Sequence, residues 1–286
     1  MSTAIISEPI SGTKAYQVRA REALPLLVRQ AEAGAPIFYS DLAEELGMPN
    51  PRNLNYVLGS IGQSLELLSK VWEFKVPPIQ CLVVNKNTGL PGEGIGWFLV
   101  KKEEFATLPL RQKRAIVEAE LQHVFSYPRW QEVLQALELE AVTSDFTSFV
   151  NKASGGFGGG ESDEHKALKA YVAQNPKVIG LGANTPVGTT EYLLPSGDCL
   201  DVSFGGKKIW VAAEVKSSVS AEGDIVRGLF QCVKYRAVME AVLLTESRPQ
   251  NARVLLVLES KFPASLIPLR NMLGVEVVEN ISPKNG

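Results

Sequence analysis

The chain has 286 residues, of which 45% are hydrophobic and 21% are charged, so it is long enough for two domains with separate cores. Its formal net charge of -2 excludes a global positive field, so any binding of nucleic acid must depend on local patches. The N-terminus lacks the basic and apolar regions of an export signal, and no segment is apolar for long enough to span a membrane. We therefore expect a cytoplasmic protein with no membrane partner.

The small number of cysteines and histidines limits which metal sites and catalytic mechanisms the chain can support. The three cysteines, Cys81, Cys199 and Cys232, lie far apart and form no Cys-x-x-Cys pair, which argues against a structural zinc site and a disulfide framework. A histidine-metal nuclease or a Ser-His-Asp hydrolase would have to use His123 or His165. The carboxylates are therefore the candidate residues for a catalytic site.

The first elements along the chain predict a helix-turn-helix. Residues 14–33 are a helix candidate, and a second, short helix runs from a Ser40 cap to Gly47. After a proline-rich turn, residues 52–68 carry leucine, valine and isoleucine at helical spacing and predict a third helix. Residues 77–85 then predict a short apolar strand, and residues 86–89 predict a turn that suits a wing.

A glycine-rich stretch marks the boundary between two domains. Residues 103–139 are expected to be mainly helical, with an interruption near Pro128. Residues 143–162 then combine dense glycine with polar residues and predict a flexible linker. No strand precedes these glycines and no Gly-Lys-Ser/Thr follows them, so they do not match a phosphate-binding loop. We expect domains at 1–142 and 163–286.

The region after the linker alternates between helix and strand, which predicts an α/β fold with a mixed sheet and helices on its faces. The expected elements are a helix at 163–174, strand segments near Val178 and Tyr192, strands at 199–204 and 209–216, a long helix at 223–244, a strand at 253–258, a short helix and a strand at 275–278.

Three charged residues stand out on two neighbouring predicted strands. Glu214 and Lys216 point to the same side of an otherwise apolar strand, where both charges would be costly unless paired or bound to a metal. Asp201 lies on the preceding strand. If the intervening turn has two or four residues, Asp201 pairs with Ala212 and its carboxylate lies diagonally beside Glu214; an odd turn separates them.

A fourth carboxylate is predicted on the helix that opens the domain. Glu164 precedes Leu168, Tyr171 and Val172 at spacings that place it on the apolar face, aimed at the sheet. The alternative is that Glu164 only complements the helix dipole. Clustered carboxylates suit Mg²⁺, or Mn²⁺ in its place, and Lys216 can then orient an attacking water or stabilise developing charge.

The run Asp201 … Glu214-Val-Lys216 resembles the PD-(D/E)xK nuclease superfamily, whose fold is restriction-endonuclease-like. The family proline is absent, because Leu200 precedes Asp201. The resemblance implies a catalytic role for Asp201, Glu214, Lys216, Glu164 and Gln231, metal ligation by Asp201, Glu214, Glu164 and Val215, and DNA contacts by Arg227 and Lys234.

Two alternatives to these roles stay open. The Glu214–Lys216 pair can be a salt bridge at an exposed strand end. Arg227, Gln231 and Lys234, which follow one another at i, i+4 and i+7, can be a solvated helix face rather than the Gln-bearing helix of the superfamily.

The N-terminal half resembles the winged-helix DNA-binding domain of alkylguanine DNA alkyltransferase-like proteins. The matching segments are Tyr39-Ser-Asp-Leu-Ala, Gly47-Met-Pro, Val57-Leu-Gly-Ser60 and Val83-Val-Asn-Lys-Asn-Thr-Gly89, and Gln80 stands in the place of the transferase cysteine, so alkyl transfer is not expected. The resemblance implies DNA docking, with protein contact alone as the alternative. The docking residues are then Arg52, Asn53, Asn55, Tyr56, Ser60 and, in the wing, Lys86.

Together these expectations describe a metal-dependent DNA endonuclease in restriction, defence or repair. The competing hypothesis is a non-catalytic DNA-binding regulator or subunit that retains the nuclease fold. RNA is a third hypothesis for the substrate. One site in each chain means that double-strand cleavage would call for a homodimer.

Overall fold

The computed structural model describes residues 7–99, 102–143, 145–154, 162–247 and 251–283. The chain divides into two separately packed units, Met1–Ser144 and Asp145–Gly286. Within those ranges, no helix is both long enough and apolar enough to cross a bilayer.

The first unit is mainly helical, and its strands are only two residues long. The strands pair in parallel, with Ile37 opposite Val83. Its elements are α1 (Ala15–Ala33), β1 (Ile37–Phe38), α2 (Tyr39–Glu45), a 3-10 turn (Pro51–Asn53), α3 (Leu54–Trp72), a second 3-10 turn (Ile79–Leu82), β2 (Val83–Val84), a third 3-10 turn (Glu93–Ile95), α4 (Gly96–Leu99), α5 (Lys102–Thr107), α6 (Leu110–Ser126) and α7 (Trp130–Ala136).

The apolar stripe of α3 forms part of this unit's core. Its predicted members are all buried: Leu54, Val57, Leu58, Ile61, Leu65 and Leu68. Helix α1 contributes a second row, including Leu24 and Leu27, which are fully buried. The i, i+3, i+4 spacing of apolar residues therefore predicted the buried face of α3 correctly.

The predicted helix cap at Ser40 is wrong. Helix α2 begins at Tyr39, directly after β1, with Phe38 as its N-cap residue and no side-chain cap. Because the extended chain of β1 runs straight into the helix, Ser40 lies inside the first turn, where its hydroxyl donates to Asp41 Oδ1 at 2.9 Å. The expected end of the helix is present: Gly47 follows with a φ of 62°.

The strand predicted at 77–85 is present only at its end. Residues Ile79–Leu82 form a 3-10 turn, with the Cys81 amide donating to the Pro78 carbonyl at 2.9 Å. The turn after β2 does form, because Gly89 adopts a φ of 66° and donates to the Asn85 carbonyl at 2.8 Å. The described chain then continues into the 3-10 turn Glu93–Ile95 rather than a returning strand, so the turn is not the tip of a hairpin wing.

The second unit is a five-stranded mixed sheet with helices on both faces. The strand order follows the chain, and the first three strands run antiparallel while the last three run parallel. Its elements are α8 (Thr147–Ser154), α9 (Asp163–Gln174), β3 (Thr189–Leu193), β4 (Cys199–Phe204), β5 (Ile209–Lys216), α10 (Glu222–Thr245), β6 (Asn251–Leu258), α11 (Ile267–Leu273) and β7 (Glu276–Val278).

Two layers of side chains fill the space between this sheet and its helices. Leu168 and Val172 of α9 pack on one face with Val215, whereas Leu229 and Met239 of α10 pack on the other. The central strand β5 is covered on both sides, as the uncharged run at residues 209–213 predicts.

Two expectations for this half of the chain are wrong. The expected linker contains helix α8. Phe146, directly before this helix, and Phe149, within it, pack against the core beside α10. Val178 lies in a 3-10 turn, Pro176–Ile179, rather than a strand. The densest glycines of the expected linker, positions 155–160, lie outside the described residues.

Candidate active site

The hairpin between β4 and β5 brings the three predicted residues together. Its register pairs Val202 with Ala213 and Ser203 with Ala212, so the expected partner of Ala212 is off by two positions. A shift of two leaves the faces of the strand unchanged. Asp201 lies one step beyond the last pair, at the end of the ladder, where its carboxyl contacts the Glu214 carboxyl, the Val215 amide and His165 of α9. The turn between the paired residues of β4 and β5 therefore contains an even number of residues, as the site requires.

The carboxyl groups of buried Glu214 and partly buried Asp201 are in contact. Glu214 is only 3% exposed, and its carboxyl is within hydrogen-bonding contact of the Asp201 carboxyl. Burial raises the pKa of Glu214 to about 7; Lys216 opposes this shift and the charge of Asp201 adds to it. Two carboxylates in contact cannot both ionise easily, so the pair favours a shared proton or a bound cation.

Asp201 accepts hydrogen bonds on both of its carboxylate oxygens. The backbone amide of Val215 donates to Oδ2 at 2.9 Å. His165 Nε2 and Lys169 Nζ, both on α9, lie 3.5 Å and 3.8 Å from Oδ1. Burial raises the pKa of Asp201, but the hydrogen bonds from His165 and Val215 outweigh it, so the pKa is lowered overall.

Lys216 begins a chain of polar contacts that runs onto α10. Its ammonium donates to Glu214 Oε1 at 2.6 Å and lies 3.4 Å from Gln231 Oε1. The Gln231 amide donates to the Tyr235 hydroxyl at 3.2 Å, and that hydroxyl donates to the Cys199 carbonyl at 3.2 Å. Each partner therefore fixes the orientation of the next, which holds Lys216 beside the carboxyl pair.

Helix α10 approaches this strand closely because residue 228 is glycine. A Cβ at Gly228 would stand 2.8 Å from Leu256 Cδ1 and 3.1 Å from Lys216 Cε. Glu214 Cγ would be 3.7 Å away. Gly228 was not predicted as part of the site; its place one turn before Gln231, facing the Glu-x-Lys strand, is the signal that could have identified it.

The structure does not place Glu164 where it was expected. Glu164 is exposed in the first turn of α9, and the helix buries a different stripe: Leu168, Lys169, Val172 and Ala173. At roughly 100° per residue, His165 projects onto the middle of this stripe, whereas Glu164 lies about 110° from it. The expectation that Glu164 faces the sheet is therefore wrong, and His165 and Lys169 take that position beside Asp201.

Comparison with protein-family models, curated proteins and solved structures finds no match. Any functional assignment therefore depends on the geometry and chemistry of these side chains.

The residues present fit a magnesium ion held by few protein ligands. Among the described residues, no group of three or more His, Cys, Asp and Glu side chains is arranged to hold a metal. Mg²⁺ needs only one or two carboxylates, with water or phosphate oxygens completing its shell. The contacting carboxyls of Asp201 and Glu214 supply this number, and Val215, whose side chain is apolar, can add only its backbone carbonyl.

The two cationic residues predicted on α10 to contact DNA have acidic partners within the second unit. Arg227 donates to Asp224 one turn earlier at 2.9 Å. Lys234 donates to Asp198 at 2.6 Å, and this hydrogen bond lowers the pKa of the aspartate. The Lys234 side chain is 60% exposed, so it remains open to a further contact.

The predicted DNA-contacting residues of the first unit are mostly at the surface. Arg52, Asn53, Asn55 and Tyr56 are exposed around the start of α3. Lys86 is exposed on the turn after β2.

Ser60 is the exception, because it is fully buried. Its hydroxyl donates to the Glu8 carbonyl at 2.6 Å, so the segment before α1 covers this position. The prediction that Ser60 contacts DNA is therefore wrong.

Gln80, which stands in the place of the transferase cysteine, lines a cavity of about 300 Å³ beside Tyr39 and Asn55. Gln80 is 4% exposed, and neither amide atom has a hydrogen-bond partner among the described residues. An amide is no nucleophile, so this position cannot perform alkyl transfer. Cys81 is buried as predicted, although in the 3-10 turn, and burial raises the pKa of its thiol.

Proposed function

We propose that the second unit is a metal-dependent phosphodiesterase that cleaves DNA, with a PD-(D/E)xK site on a restriction-endonuclease-like fold. One observation carries the proposal. Asp201, Glu214 and Lys216 converge at one end of a two-strand hairpin, and Gln231 of the covering helix contacts the lysine. These are the residue types and the strand positions of the superfamily site.

The energetic cost of this arrangement supports a functional role. A salt bridge at an exposed strand end is the competing explanation, but Glu214 is almost fully buried and its pKa is raised to about 7. A buried carboxyl with a raised pKa destabilises the ionised protein at neutral pH. Groups with strongly shifted pKa values cluster at functional sites.

The chain's own residues suit phosphodiester hydrolysis. Asp201, Glu214 and the Val215 carbonyl would hold Mg²⁺ or Mn²⁺, which when bound would offset the charge that builds on the phosphate. Lys216, fixed by Glu214 and Gln231, can orient an attacking water and stabilise negative charge. Tyr235 keeps the Gln231 amide oxygen turned toward Lys216.

The first unit would bring the chain to DNA. In this proposal, Arg52, Asn53, Asn55 and Tyr56 contact the duplex from the start of α3, and Lys86 adds a phosphate contact. The structure leaves these side chains exposed.

A nuclease assay with site variants tests the proposal. Purified protein should nick or cut duplex DNA with Mg²⁺, and Glu214→Ala or Lys216→Ala should abolish cutting while circular dichroism stays unchanged. Asp163→Asn is a matched control, because Asp163 is a fully exposed acid that pairs with Lys166 rather than with the site. Full cutting by either site variant would overturn the assignment, and parallel assays on RNA would identify the substrate.

A non-catalytic DNA-binding subunit is the second candidate, and one observation favours it. Both Asp201 oxygens are already engaged by groups of the protein itself. If no metal supports cutting of DNA or RNA while the protein still binds duplex DNA, this candidate replaces the first.

A further inference from the structure

Lys169 is a buried cation beside the proposed metal ligands. Its side chain is 8% exposed, and its ammonium lies 3.2 Å from Glu191 Oε1 and 3.8 Å from Asp201 Oδ1. Burying an ammonium is costly unless a carboxylate compensates it. Lys169 is therefore held in the protein by these two acidic groups, one on β3 and one on β4.

The strand partners of Lys169 lie directly across from each other. The register of β3 and β4 pairs Thr190 with Val202 and Tyr192 with Leu200, which sets Glu191 opposite Asp201. Glu191 has a φ of 55°, a left-handed conformation that an L-residue rarely adopts within a strand. The carboxylates of Glu191, Asp201 and Glu214 thus follow one another across three strands, and Lys169 bridges the first two.

We propose that Lys169 acts as a built-in counter-ion, which occupies the cation position beside Asp201 Oδ1 until a divalent ion replaces it. This inference rests on the proposed function. An ammonium and a divalent ion in contact with the same oxygen repel each other strongly at low dielectric. The flexible lysine stem allows the ammonium to move away, and Glu191, which is 64% exposed, offers it a partner nearer to solvent.

The role of Lys169 differs from that of Lys216. Lys216 lies on β5 and contacts Glu214 and Gln231, so it is positioned to remain when a cation binds. Lys169 instead compensates Asp201 in the metal-free protein together with His165, which lies 3.5 Å from the same oxygen. Because the Lys169 ammonium is a positive charge beside a metal ligand, it opposes metal binding. Deleting the Lys169 charge should therefore strengthen metal binding, whereas loss of a residue that merely supports the fold would weaken it.

Calorimetric titration of Mn²⁺ into the DNA-free full-length protein tests this inference. We expect Lys169→Met to bind Mn²⁺ roughly tenfold more tightly than the original protein. Lys169→Arg keeps the charge and should not gain affinity. Lys166→Met removes an exposed lysine of the same helix, which pairs with Asp163, and should leave the affinity unchanged.

Thermal unfolding separates this effect from loss of the fold. In EDTA, Lys169→Met should melt at a lower temperature than the original protein, because the ion pairs of Lys169 with Glu191 and Asp201 are lost. Saturating Mn²⁺ should raise the melting temperature more in the variant, since ligand binding stabilises the folded state according to affinity. If Mn²⁺ raises the melting temperature of the variant by no more than that of the original protein, the inference is contradicted.

The outcomes distinguish this inference from the proposed function. Unchanged or weaker Mn²⁺ binding by Lys169→Met, together with metal-dependent cleavage by the original protein, overturns only the counter-ion role. Tighter Mn²⁺ binding without cleavage of any nucleic acid supports the counter-ion role and overturns the nuclease proposal. Failure of both proteins to bind Mn²⁺ overturns the counter-ion role.

Discussion

Gly228 of α10 lies so close to Lys216 of β5 that a methyl group at position 228 would stand 3.1 Å from the lysine Cε. The lysine stem therefore passes through a gap that only glycine leaves open. This close approach places Gln231, one turn further along α10, within reach of the same ammonium. The position of the helix and the orientation of the lysine are thus linked through one residue without a side chain.

Gly228→Ala should displace Lys216 and reduce cleavage at least tenfold. Alanine normally stabilises a helix interior by about 1 kcal/mol relative to glycine, but overpacking a core costs about 1–3 kcal/mol. The added methyl would stand 2.8 Å from Leu256 Cδ1, so we expect net destabilisation in urea unfolding. Gly182→Ala, where no atom lies within 4 Å of the new methyl, is the control. Unchanged activity and stability in Gly228→Ala would show that the gap has no role.

The Gln231–Tyr235 pair should behave as one unit in a double-mutant cycle. Gln231→Met removes the contact with Lys216, and we expect a roughly tenfold loss in cleavage rate, a magnitude usual for residues that orient a metal site. Tyr235→Phe removes the hydroxyl that orients Gln231, together with its hydrogen bond to the Cys199 carbonyl, but leaves the contact between Gln231 and Lys216. Its loss in cleavage rate should therefore be smaller. The double variant should lose no more than Gln231→Met alone. If the loss in cleavage rate of the double variant equals the combined losses of the two single variants, the two residues act separately.

Glu214→Gln should stabilise the metal-free protein at alkaline pH. The pKa of Glu214 is raised from 4.5 to about 7 by burial, so the folded state holds a proton that the unfolded state releases. The associated stability is complete below pH 4.5 and is lost as the pH rises through 7. Glutamine resembles the protonated form at every pH and avoids this loss.

Urea unfolding in EDTA measures the difference between the two proteins. The difference in the free energy of unfolding should be near zero at about pH 4 and should reach up to about 3 kcal/mol in favour of Glu214→Gln at about pH 8. A difference that does not change between these values would contradict the raised pKa.

Substitutions on α3 should separate DNA contact from folding. Arg52→Ala should weaken DNA binding at low salt and reduce the salt slope by about one, because one phosphate contact is lost. Ser60→Ala should leave DNA affinity unchanged and destabilise the first unit by about 1 kcal/mol, because it removes the buried hydrogen bond to Glu8. Fluorescence anisotropy and thermal melts measure the two effects. Equal DNA affinity in Arg52→Ala and the original protein would remove Arg52 from the proposed interface.

Strand and helix periodicity predicted the frame of the site well. The bounds of α9, β4 and β5 match those expected from the sequence. The register between β4 and β5 was predicted less accurately than the bounds of the strands. The first residues of β5 pair with β6 and not with β4. Ile209 and Trp210 lie opposite Asn251 and Ala252, so the hairpin opens wider than the turn Gly205–Lys208 suggests.

The positions of Glu164 and Ser60 were predicted wrongly, each for a different physical reason. Glu164 was preferred because its spacing to Leu168 and Val172 indicated the apolar face of the helix, yet the buried stripe of α9 is centred nearer to His165. Ser60 was assigned to the DNA interface because its helix resembles the docking helix of the alkyltransferase-like proteins. The segment around Glu8 and Ile10 covers that side of α3 through hydrogen bonds with Ser60 and Ser64, and nothing in the local sequence indicates this contact.

The register of the β4–β5 hairpin limits how this turn can change length. Insertion or deletion of a single residue would rotate Asp201 to the opposite face of the sheet, away from Glu214. A change of two residues would restore the shared face. Related chains that keep the site should therefore differ at this turn by even numbers of residues, so the turn length alone can distinguish sequences that retain the carboxyl pair from those that have lost it.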